Sequence, residues 1–275
     1  MINKLGRGSD FDPLHDDFTY EDYLNGKAYV SGRPLNSFFS YEFTGLSPED
    51  GRPTFARVEE DLWDQYIDMP NSKVFTTVMQ YSGCRVPYLQ GGISNTFEYN
   101  NFILSFNLAY SIGSKIRLLK LYDNVSAGSS IPQPIKNMRK EFVRRWKRPG
   151  DEKKTNIPGI LNATDFNYSI NYPWWKNEPF SFAANIWQMY DFSNIRVVSG
   201  NYLKLKTLSL RYVMPQKICR KLHVKNMYVS LSGTNLLTWS AKELRGQDPT
   251  SQSGSADRIN LSVRPTYSFS LDVSF

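Results

Sequence analysis

From Thr266 to Phe275 the chain alternates without a fault. Tyr267, Phe269, Leu271, Val273 and Phe275 are apolar, and Thr266, Ser268, Ser270, Asp272 and Ser274 between them are polar. A period of two places alternate side chains on opposite faces of a strand, so this segment builds a sheet with one apolar and one wet face. The same period recurs upstream. Phe102, Leu104, Phe106, Leu108 and Tyr110 alternate mainly with Ser105, Asn107 and Ala109. Met227, Val229 and Leu231 alternate with Tyr228, Ser230 and Ser232, and Ile93, Asn95, Phe97 and Tyr99 show the pattern more weakly. Between Tyr202 and Val213 the phase slips, because Leu203 and Leu205 are followed by Leu208, Leu210 and Tyr212. An extra residue in that strand, a β-bulge, is the simplest cause.

An all-β chain can be soluble or can cross a membrane, and hydropathy does not decide between them. No stretch approaches the ~18–20 apolar residues of a spanning helix. A barrel strand needs only ~10 residues that alternate between lipid and a polar lumen. A mean hydropathy of -0.47 with 17 Tyr, 17 Phe and 6 Trp suits strands of this kind joined by large polar loops.

The connections add a second constraint, since outer-membrane barrels alternate short periplasmic turns with long external loops. With the chain end on the periplasmic side, strand 264–275 runs inward and 226–237 outward. The Gly- and Ser-rich segment Gly246 to Ser255 then lies outside. Met214 to Lys225 becomes a periplasmic connection with room for one helical turn at Pro215 to Leu222. Asn100-Asn101 makes a tight turn on that same side, and 113 to about 200 falls outside. That segment is too long for a structureless loop. It carries a helix candidate, Ile135 to Lys147, with Met138, Phe142 and Trp146 on one side and Pro149-Gly150-Asp151 as its stop. An aromatic-rich stretch, Tyr168 to Tyr190, follows.

Several segments together resemble the C-terminal portion of the SusC/RagA family of TonB-dependent outer-membrane transporters. They are Gly45-Leu46-Ser47-Pro48-Glu49-Asp50-Gly51-Arg52-Pro53, Pro87 to Tyr99, Arg145-Trp146-Lys147-Arg148-Pro149-Gly150-Asp151-Glu152, Asn201 to Pro215, Leu231 to Trp239, and the terminal aromatic strand. Leu46 to Gly51 is turn chemistry. Gly91-Gly92 is expected to supply backbone angles closed to other residues. Trp239 falls where an interfacial girdle residue would sit.

The resemblance implies an antiparallel transmembrane β-barrel segment, with residues 1–275 forming the C-terminal part of a barrel of about 22 strands, with long extracellular loops and short helical turns. It implies uptake of oligosaccharides, or of peptides in some members, under a SusD-like lipoprotein. Energy would come from the TonB-ExbB-ExbD complex. The barrel-assembly machinery would read the terminal strand, Tyr267, Phe269, Leu271, Val273 and Phe275. The signal peptide, TonB box and plug domain of such proteins find no match in these residues. About a third of a barrel cannot close alone, because its open edges would be unsatisfied in lipid.

No catalytic constellation, metal site or cofactor motif is expected. His15 and His223 have no partners at ligand spacing. Asp16-Asp17, Glu49-Asp50 and Asp151-Glu152 sit in turn-like contexts, and Gly6-Arg7-Gly8 follows no strand. Cys84 and Cys219 fit no redox spacing. Substrate contact is the one site expectation: sugars stack on aromatic rings, and Tyr172, Trp174, Trp175 and Trp187 lie in the external region. The alternative is that these rings pack the loop's own core. A soluble or surface glycan-binding β-sandwich would also alternate, but would bury its apolar faces against each other. The net charge of +7 comes with no nucleic-acid-binding motif.

Overall fold

Strands form where the period-two runs lie, and the backbone adds shorter ones between them. The computed structural model describes residues 18–56, 71–122, 139–160, 186–250 and 263–275. In chain order the strands are β1 (Ser37–Ser40), β2 (Phe43–Leu46), β3 (Pro53–Phe55), β4 (Gln80–Cys84), β5 (Leu89–Tyr99) and β6 (Phe102–Ile112). They continue with β7 (Lys115–Arg117), β8 (Val197–Ser199), β9 (Tyr202–Val213), β10 (Asn226–Ser240) and β11 (Thr266–Ser274). The chain divides into two units. One comprises Met1–Val86, Arg117–Val198 and Gly254–Arg258; the other comprises Pro87–Ile116, Ser199–Ser253 and Ile259–Phe275.

The second unit is a five-stranded antiparallel sheet in the order β11-β10-β9-β6-β5. Its connections sort by length. Tyr99 pairs with Phe102 across the two-residue turn Asn100-Asn101, where Asn100 has φ 50. Asn101 holds the neighbouring strand through its side-chain amide to the Val213 carbonyl, at 2.7 Å. At this end of the sheet the chain also passes from β9 to β10 through a short helix, Gln216–Lys221. Lys225 there donates its backbone N–H to Ser274 at 2.8 Å. The long connections, 113–201 and 241–265, leave from the opposite end. The helical turn expected at Pro215 to Leu222 is present, with Pro215 as its N-cap.

In the first unit β1 pairs with β4 and β2 with β3. Ser47 to Arg52 closes the β2–β3 hairpin through Ser47 N–H to the Arg52 carbonyl and Gly51 N–H to the Ser47 carbonyl, both 2.9 Å. The core is aromatic: Tyr23, Phe39, Tyr41, Phe55, Phe75, Tyr122, Phe142, Trp187, Tyr190 and Phe192 are buried together. Edge-to-face contacts such as Tyr23–Phe39 and Tyr122–Phe142 order these rings, and each is worth ~0.5–1.5 kcal/mol beyond burial.

The helix expected over Ile135–Lys147 is cut short. Residues 135–138, Met138 included, lie outside the described residues. Lys140–Arg144 is a 3-10 turn that ends at Arg145 in extended backbone. The next amide, Trp146 N–H, bonds to the Ile157 carbonyl at 2.9 Å and not to a preceding turn. Tertiary pairing thus ends the helix before Pro149 is reached. Phe142 and Trp146 are both buried, as their spacing suggested.

Candidate functional site

Side chains of directly paired residues share a face of a sheet, so the registers of the second unit sort its residues into two surfaces. One row reads Phe97, Leu104, Leu210, Leu231, Phe269 across all five strands, and the next reads Tyr99, Phe102, Tyr212, Val229, Leu271. Ile93, Leu108, Leu205 and Leu237 make another. On the opposite face the rows read Thr96, Ser105, Ser209, Ser232, Ser268 and Ser94, Asn107, Thr207, Thr234, Thr266. Hydroxyls and amides link this wall across strands, as in Thr96 Oγ1 to Ser105 Oγ at 3.0 Å and Ser230 Oγ to Ser270 Oγ at 2.7 Å.

Among the described residues nothing covers the apolar face. Leu210 and Leu231 on the central strands are 41% and 56% exposed, and Phe269 is 70% exposed. Soluble monomers rarely leave a contiguous apolar patch of more than a few hundred Å² bare. A β-sandwich would hide such a face under a second sheet.

A bulge keeps this face continuous. Asn107 pairs with Thr207 and Leu108 with Leu205, so Lys206 is extra relative to β6. It stands against Asn235 and Leu236 of β10, where Thr234 pairs with Thr207 and Leu237 with Leu205. If Lys206 were accommodated without a bulge, strict alternation from Leu208 would turn Leu205 and Leu203 to the polar face. The phase slip read between Leu205 and Leu208 is this residue.

Gly91 corrects an expectation. Neither Gly91 nor Gly92 has positive φ. Gly91 faces Tyr110 across the ladder, and a Cβ on it would come within 2.8 Å of the Tyr110 hydroxyl. Its role is room for a ring, not backbone freedom.

Aromatic residues mark both ends of the apolar face. Tyr99, Phe102 and Tyr212 lie at the short-turn end, with the Phe102 and Tyr212 rings 4.7 Å apart. Tyr110 and Trp239 lie in one row toward the other end. On the polar face near that end, Lys204 Nζ meets Asp248 Oδ2 at 2.8 Å, with both side chains buried. Asp248 also accepts the Thr250 hydroxyl at 2.6 Å. This pair ties the β10–β11 connection to the sheet.

The first unit contains a buried ionic cluster. Arg117 donates to the carbonyls of Leu24 (3.0 Å), Phe39 (2.9 Å) and Ser193 (3.4 Å) and to Ser40 Oγ (3.0 Å). Burial and the neighbouring Arg196 pull it down to about 9, so it stays cationic at neutral pH. Arg196 pairs with Glu141 at 3.0 Å. The Asp191 carboxylate accepts the Leu121 and Tyr122 N–H groups at 2.7 and 2.9 Å, and burial raises it to about 6. Arg117, Arg196 and Asp191 thereby tie separate backbone segments together. Among the described residues no cluster of His, Cys, Asp or Glu could hold a metal ion.

Of the aromatic candidates for substrate contact, Tyr172, Trp174 and Trp175 lie outside the described residues. Trp187, in the helix Ile186–Asp191, is buried in the first unit's core, its ring 5.1 Å from that of Tyr122. Its ring is a packing element of that core. In the terminal strand Tyr267, Phe269, Leu271 and Val273 share the apolar face, and Phe275 follows at the end of the strand, all of them exposed.

No protein-family model matches the chain. A curated relative, the TonB-dependent receptor P3 of Formosa agariphila, is 22% identical over 254 residues, which cover 90% of this chain and 22% of the receptor. The RagAB peptide importer aligns in its closed-closed state with a TM-score of 0.58 at 19% identity, over 91% of this chain and 24% of the importer chain. In its open-open state the TM-score is 0.54 at 18% identity, over 87% and 22%. The chain therefore spans less than a quarter of the length of these relatives. Its fold is that of an antiparallel transmembrane β-barrel segment. Within that fold it is similar to one segment of the barrels of these TonB-dependent transporters.

Proposed function

We propose that this chain forms part of the wall of an outer-membrane transporter that takes up oligosaccharides, or peptides, beneath a SusD-like lipoprotein lid. The observation that carries the reading is the two-faced sheet, apolar and bare on one side and lined with hydroxyls on the other. From Phe102 to Tyr110 the strand β6 rises roughly 27 Å at ~3.4 Å per residue. At a tilt of ~40° that is about 20 Å across the membrane, close to the ~25 Å apolar band of such barrels. The aromatic residues at its two ends then occupy the two interfaces. The short connections and Phe275 lie on the periplasmic side, and 113–201 and 241–265 lie outside.

In that setting the polar face lines the lumen, the barrel-assembly machinery reads Tyr267 to Phe275, and TonB-ExbB-ExbD drives transport through the plug of the assembled transporter. Tyr172, Trp174 and Trp175 on the external connection stack on ligand. Trp187, buried in the core of the first unit, is not part of that contact.

Cell fractionation tests the membrane assignment. The chain is expected in the outer-membrane fraction, released by detergent and not by high salt or carbonate. A monodisperse protein in detergent-free buffer would overturn it in favour of a soluble glycan-binding module. The ligand assignment is tested separately by Trp174→Ala with Trp175→Ala in the full-length transporter, where unchanged ligand affinity would count against it.

A further inference from the structure

The cations of the strongly basic stretch from Lys140 to Lys154 are used neither by the sheet nor by the aromatic core. Its acidic residues are all engaged internally. Glu141 pairs with the buried Arg196. Glu152 accepts the Trp146 indole N–H at 3.3 Å and the Gly150 N–H at 2.7 Å, and Asp151 accepts the Lys147 N–H at 3.2 Å. Those bonds, with Trp146 buried beneath, fix the shape of the segment. The cations take no part in them. Lys140, Arg144, Lys147, Arg148, Lys153 and Lys154 are exposed, and among the described residues none of them makes a salt bridge. A solvated face normally interleaves charges of both signs; here Glu141 is turned inward to Arg196, and Asp151 and Glu152, partly exposed, are bonded within their own turn, which leaves the cations in excess on the surface.

We propose that this surface binds an anionic oligosaccharide, one bearing a carboxylate at repeated positions along the chain. The inference deepens the uptake reading, since 113–201 is the connection placed outside by it. The cations fall in groups on either side of Pro149-Gly150, so a ligand must carry several negative charges along its length to engage both. An acidic peptide is the less suitable occupant. This segment, two 3-10 turns at Lys140–Arg144 and Asp151–Lys153 with no strand between them, has no strand edge to add main-chain bonds, so a flexible peptide would be held by its side-chain charges alone and would lose more conformational entropy than a stiff sugar chain. A sugar chain needs only the side-chain cations, and its stiffness limits the entropy lost on binding.

The test uses the full chain in nonionic detergent, titrated calorimetrically with oligogalacturonate, with neutral maltohexaose and hexaglutamate as comparisons. Oligogalacturonate is expected to bind, and affinity should fall by about tenfold or more on going from ~50 to ~500 mM salt, as screening of exposed charge requires. The variant R144Q/K147Q/R148Q/K153Q/K154Q should lose binding at least as strongly, while K147R/K153R/K154R keeps it. Absent binding, unchanged binding in the neutralised variant, or equal binding of hexaglutamate would each overturn the assignment. None of these results bears on membrane insertion, which fractionation reads independently.

Discussion

Trp146 lies against Gly51, so close that a Cβ on the glycine would come within 2.3 Å of the indole. Gly51 also has φ +72, a conformation that side chains disfavour. Two segments far apart in sequence, the Leu46 to Gly51 turn and the Arg145 to Glu152 stretch, are thus one packed feature, joined further by the Gly159 N–H to the Gly51 carbonyl at 2.9 Å.

Gly51→Ala is therefore expected to destabilise the first unit by roughly 1–3 kcal/mol, through overpacking and backbone strain together. Trp146→Ala opens a cavity and costs about 3–5 kcal/mol. Because the two residues touch, the double variant should be less damaged than the sum of the single ones. Denaturant midpoints followed by fluorescence from the first unit's tryptophans would check this.

The carboxylate of Asp191, raised from 3.8 to about 6 by burial, gives a pH dependence of definite sign. Between those two values the folded chain holds a proton that the unfolded chain has released. Stability from this group is therefore greatest at acid pH and is lost as pH rises toward and through about 6. The wild-type midpoint should decline over that window relative to Asp191→Asn, in which no proton is exchanged. The amide of Asp191→Asn can accept only one of the two backbone N–H groups, so that variant should be less stable overall by about 1–3 kcal/mol.

The two sheet faces should respond oppositely to charge. Leu210→Arg places a cation at the middle of the apolar face and is expected to cost about 2–4 kcal/mol of folding stability in a bilayer. Ser209→Arg, one residue along on the hydroxyl face, should be tolerated to within about 1 kcal/mol. Folding yield of the full-length transporter in lipid vesicles, read by gel mobility before and after heating, separates the two. Equal losses would mean that the faces are not what their registers indicate.

Deleting Lys206 removes the bulge. Thr207 then adjoins Leu205, so the ladder with β6 becomes regular and Leu203 and Leu205 stay on the apolar face. The folded band of the full-length transporter is expected to survive the deletion, as it should survive Lys206→Ala; its loss on deletion would count against the pairing of Leu108 with Leu205.

The sheet was largely legible from period two alone, because one of its faces meets an apolar medium and the other water. Even the irregularity at Lys206 showed as a slip in the leucine spacing. The first unit was not legible in the same way. Ser37-Phe38-Phe39-Ser40 is buried on both faces, so no alternation marks it as a strand. Arg117, whose contacts reach from Leu24 to Ser193, sits in Lys115-Ile116-Arg117 with nothing local to announce a core arginine. Trp187 read equally well as a ligand platform or as packing, since composition cannot tell an exposed ring from a buried one. Gly91 was identified as necessary for the wrong reason, because its partner Tyr110 lies across a strand pair and not beside it in sequence.

The excursion between β6 and β9 also bears on the order in which the chain can assemble. Pairing Phe102–Ile112 with Tyr202–Val213 directly would mean closing a loop of nearly ninety residues, with an entropic penalty that must be met before any ladder bond forms. At the mouth of that loop Gly113 N–H bonds to Asn201 Oδ1 at 2.7 Å and Gly200 N–H to the Ser114 carbonyl at 2.9 Å. Most of the loop, Arg117–Val198, belongs to a unit with its own core. Once that core has formed, the distance left for the two strands to search is that of a short hairpin. The aromatic interior of the first unit would in this way set the rate at which the barrel wall zips, without contributing a residue to the wall itself.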